Sequence, residues 1–282
     1  MDIYLVNPST RPYTIEKNEY LLGRRASREK RECGSLPDDR GGQDLTPIPN
    51  NGHPKYDINI LESYFYARTN KVIERLLPYF NNFLLDSGAF TFMNNAGTTV
   101  DWDRYTEEYA QYIVSHDVNH FFELDIDPIV GLPEVERLRA KLEALTGKKP
   151  IPVWHVSRGR QYFEQMCSKY PYVAIGGIVT QEIKREKYET LFPWFISTAH
   201  KHGVKIHGLG YTGKLKRYRF DSVDSTAWLY GNRGGFIYRF NPRVGELEKM
   251  DAPPGKRLSS QRAALHNFNE WVKYCQWAKR HL

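Results

Sequence analysis

From residue 60 onward the sequence alternates short apolar runs with longer amphipathic segments. That rhythm restricts the chain to successive βα units built on a parallel sheet. Strands are predicted at Asn82 to Leu85, His120 to Leu124, Ile151 to His155, Tyr172 to Ile175, Val204 to His207 and Phe220 to Val223. Helices are predicted between them at Trp102 to His116, Pro133 to Thr146, Gln161 to Lys169 and Tyr188 to His202. An opening strand at Ile3 to Val6 and a further one within residues 57–62 bring the strand count close to that of a barrel. The expected fold is therefore an α/β chain forming a single (β/α)8 TIM-type barrel over residues 1–282, preferred to an open doubly wound sheet. The first strand is not followed by a GxGxxG turn, which argues against dinucleotide binding.

Two segments stand outside that rhythm. Residues 23–55 are charged and rich in Gly, Pro, Asn and Asp with no apolar period, so they read as a long basic loop inserted near the N-terminus. Its Arg24, Arg25, Arg28, Lys30 and Arg31 are either a grip on phosphates or part of a disordered segment without function. Residues 255–282, which end in QRAALHNFNEWVKYCQWAKRHL, read as a C-terminal helical segment, the last of three helices, packed on the core.

Chemistry in a parallel barrel sits where strands end and βα loops begin, and the polar residues of this chain fall there. They are Asp86, Ser87 and Gly88; Asp125 and Asp127; His155; Gly176 and Gly177; His207 and Gly208; and Asp224. Each has a plain structural alternative. Asp86 and Ser87 suit a capping turn as well as a ligand contact, and His155 suits a satisfied core histidine as well as a functional one. The Gly176-Gly177 pair suits a tight turn as well as a flat ligand edge. Asp125 and Asp127, two apart in an extended run, are expected on one face, where Asp125 would accept hydrogen bonds from a guanine-like edge. Asp221 and Asp224, three apart, are expected on opposite faces of the last strand, with Asp224 nearer the barrel mouth. The His residues lack ligand spacing, so no metal and no cofactor is expected.

Composition narrows the partner. The net charge is +7 and aromatic residues make up 14% of the chain, which suits an anionic, stackable partner such as nucleic acid as well as an ordinary solvated surface over an aromatic core. Lys214, Lys216, Arg217 and Arg219, beside the last strand, are candidate backbone contacts. The three cysteines, Cys33, Cys167 and Cys275, form neither a disulfide framework nor a CxxC site. With neither a leader pattern nor an apolar run of about 20 residues, a cytoplasmic setting is expected.

Taken in order, these segments resemble the tRNA-guanine transglycosylase family. The family's Asp-Ser-Gly-Gly-aromatic segment is matched by Asp86-Ser87-Gly88-Ala89-Phe90, and its Leu-Asp by Leu124-Asp125. Its Gly-Gly is matched by Gly176-Gly177, its Met-Gly-Val-Gly by His207-Gly208-Leu209-Gly210, and its Asp-x-Phe-Asp by Asp221-Ser222-Val223-Asp224. The resemblance covers roughly residues 80–235. It implies Asp224 as the nucleophile, with Asp221 the fallback, and Asp86 as general acid/base. It further implies Phe90 as a stacking platform, and Ser87, Asp125, His155, Gly176, Gly177, His207 and Gly208 as the base-binding shell.

The departures point to a branch of that family. Only Cys275 follows Asp224, so the Cys and His zinc subdomain of the bacterial and eukaryotic tRNA enzymes is missing. STAW also follows the nucleophile in place of CVLPTR. The chain looks more like the DNA 7-deazaguanine transglycosylases of phages and bacterial modification islands. The implied activity is replacement of guanine in DNA by a free 7-deazaguanine, preQ0 or a relative, with accessory proteins as further partners and no membrane. The alternatives are base exchange in tRNA by an enzyme that has shed zinc, a non-catalytic barrel that binds nucleic acid or a deazapurine, and a metal-dependent hydrolase barrel.

Overall fold

The computed structural model of the chain describes residues 1–6, 48–50, 53–69, 73–74, 77, 80–93, 100–229, 235–251 and 259–282. Nine strands form one sheet: β1 (Asp2–Val6), β2 (Ile48–Asn50), β3 (His53–Ser63), β4 (Phe80–Asp86), β5 (His120–Phe121), β6 (Val153–Trp154), β7 (Tyr172–Ile175), β8 (Lys205–Gly208) and β9 (Ser222–Ser225). Eight of them run in the order β5-β4-β3-β1-β9-β8-β7-β6, and every pairing along that path is parallel. The two end strands meet at a single parallel bridge, Phe122 to Ile151, with Ile151 N–H donating to the Phe121 carbonyl at 2.8 Å. Spatial order thus follows chain order around a curled sheet.

The curl has a physical cause in the period-2 pattern, which gives each strand two apolar faces. Tyr4, Val6, Leu61, Leu84, Phe122, Ile151, Val153, Tyr172 and Ala174 pack against one another although they come from strands at both ends of the path. The alternate residues Ile3, Leu5, Ile60, Val173, Ile175 and Ile206 belong to a second cluster with helical side chains such as Phe195 and Phe268. Leu85 and Phe121 join a third with Tyr109 and Leu138. Both faces of the sheet thus carry buried apolar side chains.

The helices are α1 (Tyr64–Ala67), α2 (Ala89–Met93), α3 (Trp102–Ser115), α4 (Asp127–Val130), α5 (Leu132–Thr146), α6 (Gly159–Lys169), α7 (Tyr188–Lys201) and α8 (Ser260–His281). Local signals set their ends. Asp101 caps α3, its side chain accepting the Arg104 N–H at 3.0 Å. Pro133 stands in the first turn of α5 and left-handed Gly147 closes it.

The structure corrects the sequence reading at several elements. The residue 57–62 strand is longer, and its first residues pair antiparallel with β2, so the end of the supposed 23–55 loop is a hairpin. The remainder of that loop, with Arg24, Arg25, Arg28, Lys30 and Arg31, lies outside the described residues. The strand expected at Phe220 to Val223 begins two residues later, because Phe220 packs outward against Phe192 and Tyr211. The C-terminal region holds one long helix, α8, and the elements before it include an antiparallel hairpin, β10 (Phe236–Asn241) with β11 (Glu246–Asp251). A half-exposed hairpin lacks the continuous apolar run by which buried parallel strands are recognised.

No helix among the described residues is long and apolar enough to cross a membrane.

Candidate active site

Parallel strands put all their carboxyl ends on one rim, so side chains distant in sequence meet there. Asp86 ends β4, Asp125 follows β5, His155 follows β6, Gly176 follows β7, Gly208 ends β8 and Asp224 stands within β9. Asp86 closes a tight turn, with its Oδ2 accepting the Gly88 N–H at 3.0 Å. Gly88 has φ +76°, and a Cβ there would lie 2.8 Å from the Phe65 backbone nitrogen, so only glycine fits. Ser87 is buried, and its Oγ accepts the Ala89 N–H at 3.4 Å. Two phenols brace the turn from behind. Tyr105 donates to the Ser87 carbonyl at 2.6 Å, and Tyr109 stands 3.1 Å from the carbonyls of Leu85 and Phe122.

Burial pushes the Asp86 carboxyl up to about 6; the Gly88 N–H opposes the rise, and the negative charges of Asp125 and Asp224 add to it. The three carboxylates therefore share one electrostatic field.

Asp224 is held differently. It is buried, and its Oδ1 accepts from His207 Nε2 at 3.0 Å and from the Gly210 N–H at 2.7 Å. His207 has no exposed surface; its Nδ1 meets Ser222 Oγ at 2.5 Å, and that hydroxyl also contacts the Tyr172 hydroxyl. Burial raises the Tyr172 phenol above its ordinary range, so it keeps its proton. A consistent set of donors then runs one way, from Tyr172 to Ser222, from Ser222 to His207 Nδ1, and from His207 Nε2–H to Asp224.

His155 lies between two carboxylates. Both oxygens of Asp125 are 2.9 Å from Nε2, and Glu182 Oε2 is 3.2 Å from Nδ1. Burial alone pulls the imidazole down, but the hydrogen bonds and charges of Asp125 and Glu182 outweigh it and lift it to about 9. The ring is thus an imidazolium that donates at both nitrogens. Gly176 is required beneath it, because a Cβ there would come within 2.6 Å of His155 Cε1. At Gly177, with φ +74°, a Cβ would meet Glu182 Cβ at 3.0 Å.

Other expectations are revised. Asp125 and Asp127 do not share a face of an extended run, since Asp127 opens α4. Both still approach Arg158, which bonds Asp127 at 2.7 Å and comes within 4.0 Å of Asp125. Asp221 stands at the opposite end of β9, where it bonds His200 at 3.0 Å and the Ile206 N–H at 2.8 Å, away from the rim. The Phe90 side chain lies outside the described residues, though its backbone belongs to α2.

Sequence reasoning missed Glu123, Arg139, Arg158 and Glu182. Glu123 is fully buried and accepts from Arg139 and Arg158, each at 2.8 Å, and from the Val153 N–H at 2.8 Å. This network ties the strand that carries His155 to the segment that carries Asp125. A buried Glu beside two Arg has no local sequence signature; the one cue was the acid-rich ELDID run itself. Among the described residues, no group of three or more His, Cys, Asp or Glu is arranged to hold a metal ion.

The rim brings the hydrogen-bonded Asp125–His155 pair, with Gly176 packed against the His155 ring, together with Asp86 and Asp224. It offers one carboxyl poised to carry a proton and one carboxylate fixed as an acceptor. Compared with protein-family models and with curated proteins, the sequence matches none.

Proposed function

We propose that this chain is a base-exchange glycosyltransferase that replaces guanine in DNA with a 7-deazaguanine such as preQ0. The observation that carries the reading is the division between two rim carboxyls. Asp86 is pushed up to about 6 and so passes readily between acid and base, whereas Asp224 is held in one orientation by two N–H donors. On this reading the curled sheet, with its bridge between Phe122 and Ile151, is a (β/α)8 barrel with this rim as its catalytic face.

In the reaction, Asp224 attacks C1′ of the guanosine while the bond from C1′ to guanine N9 breaks, and the proton of Asp86 goes to the departing base. The incoming 7-deazaguanine gives its N9 proton to Asp86 and attacks C1′, releasing Asp224. Oxocarbenium character at C1′ suits attack by a carboxylate. Asp125, oriented by His155, accepts hydrogen bonds from the N1–H and amine of the base, and Gly176 and Gly177 line its flat edge. DNA is favoured over tRNA by the missing zinc ligands after Asp224, and the net charge of +7 suits either polyanion. A paired base must leave the stack first, at a cost of about a few kcal/mol.

The test is incorporation of radiolabelled guanine or preQ0 into duplex DNA and into tRNA, with Asp224→Ala and Asp86→Ala beside the natural chain. Label in DNA alone, lost in both variants, supports the proposal. Label in tRNA alone moves the chain to the RNA branch, and label in neither refutes exchange by this chain acting alone.

A further inference from the structure

A cleft of about 480 Å3 opens between the loop after β8, the β10–β11 hairpin and α8. Lys214, Lys216, Arg217, Tyr238, Glu246 and Trp271 are among its lining residues. Ala227, three positions beyond Asp224, also borders it.

Four observations describe what would bind there. Trp271 is 3% exposed, and its buried indole N–H has no hydrogen-bond partner among the described residues; a buried donor left unmade is costly, and an acceptor that reached it would relieve that cost. Lys214 is exposed, has no ion pair among the described residues, and sits at φ 43°, a left-handed conformation unusual for lysine. Lys216, whose ammonium lies 5.3 Å from the Trp277 ring, donates to the Val244 carbonyl. Arg217 spends one guanidinium nitrogen on Glu189 at 2.6 Å and keeps its others. Against these three cations the lining sets one carboxylate, the exposed Glu246. Arg219, from the same basic run, is not among the lining residues.

A lining with cations and an unmade N–H fits an anion with several acceptor oxygens. We propose that this cleft binds a backbone phosphodiester of the nucleic-acid strand next to the reacting nucleotide, with the Trp271 indole N–H and the Lys214 and Lys216 ammonium groups as donors. The identity of the strand rests on the base-exchange reading; the anion site itself rests on the cleft.

The test uses the full chain and a fluorescein-labelled oligothymidylate, which carries phosphodiesters and no guanine. The Lys214→Ala, Lys216→Ala double variant should bind about tenfold more weakly, and its slope of log affinity against log salt should shrink by about 0.7 for each phosphate that is no longer neutralised. Lys169→Ala, at an exposed cation on α6, should do neither. The oligomer should also shift the Trp271 indole N–H resonance, assigned among the six tryptophans with Trp271→Phe. Unchanged affinity in the double variant, or an unmoved Trp271 resonance, overturns the inference. A shift produced equally by the same concentration of inorganic phosphate overturns the assignment to a strand. Intact cleft binding without any exchange by the natural chain sinks the base-exchange reading alone, and exchange with no cleft effect sinks the cleft alone.

Discussion

His207 Nε2 lies 3.0 Å from Asp224 Oδ1 in a part of the curl where His207 has no exposed surface at all. A carboxylate accepts only, so this contact places the imidazole proton on Nε2 and leaves Nδ1 to accept from Ser222, itself in contact with Tyr172. Ser222 and Tyr172 are in this sense positioning residues for Asp224, acting through the ring between them.

His207→Leu should therefore lower kcat by roughly a hundredfold, the scale on which one oriented donor matters at a reacting group, with a smaller change in KM. Ser222→Ala should give a partial loss and a mixture of His207 tautomers, visible by nitrogen NMR. A Ser222→Ala protein with wild-type kcat and a single Nε2–H tautomer would refute the relay.

On the base-exchange reading, Asp86 sets the pH response of base release. Its carboxyl is raised to about 6 by burial, so the acid form needed to protonate guanine fades as pH rises through that value. Single-turnover release of guanine should fall above about pH 6, and Asp86→Asn should abolish the pH dependence together with the activity. The same shift acts on folding: the protonated carboxyl is favoured by the native state, so this contribution is full below the ordinary carboxylate pKa and is lost as pH rises through about 6.

His155 runs the same sign over a higher window. Its folded value near 9 exceeds the ordinary imidazole value of 6.5, so its stabilising contribution is complete below 6.5 and is lost as pH rises through about 9. Urea unfolding from pH 6 to 10 should show that decline, and His155→Gln should flatten it. An identical decline in the variant would assign it to other groups.

Arg158→Met should destabilise the chain by about 3 kcal/mol, because it leaves the buried Glu123 with half of its compensating charge. Glu123→Gln in the same background should recover part of that loss. Denaturant midpoints of the single and double variants decide it.

Asp221→Asn separates the two acids of β9 and its approach. Asp221 bonds His200 and the Ile206 N–H at the end of β9 opposite the rim, so the variant should lose on the order of 1 kcal/mol of stability and keep its exchange rate. Loss of activity at unchanged stability would move the nucleophile there.

The repeating apolar runs were enough to place the strands, since a strand buried on both faces must be apolar throughout. The helices were equally legible from their 3.6-residue period, as with Trp102–Ser115 and Tyr188–Lys201. Weaker patterns misled. The exposed β10–β11 hairpin reads like loop, with Arg239, Glu246, Glu248 and Lys249 along it, and Phe220 looks like the start of a strand although it packs among helical aromatics.

The positions of Asp86, Asp125, His155 and Asp224 at strand ends followed from the sequence alone, because in parallel βα units the order of residues along the chain already decides which end of each strand they occupy. Their partners did not follow. That His155 is clamped by Glu182, that Glu123 is shared by Arg139 and Arg158, and that His207 orients Asp224 through Ser222 and Tyr172 depends on how neighbouring strands are staggered and on which side chains the curl turns inward. Those pairs join residues 15 to 50 positions apart, and no local pattern encodes a distance that only the pairing and curl of the strands bring within reach of a hydrogen bond.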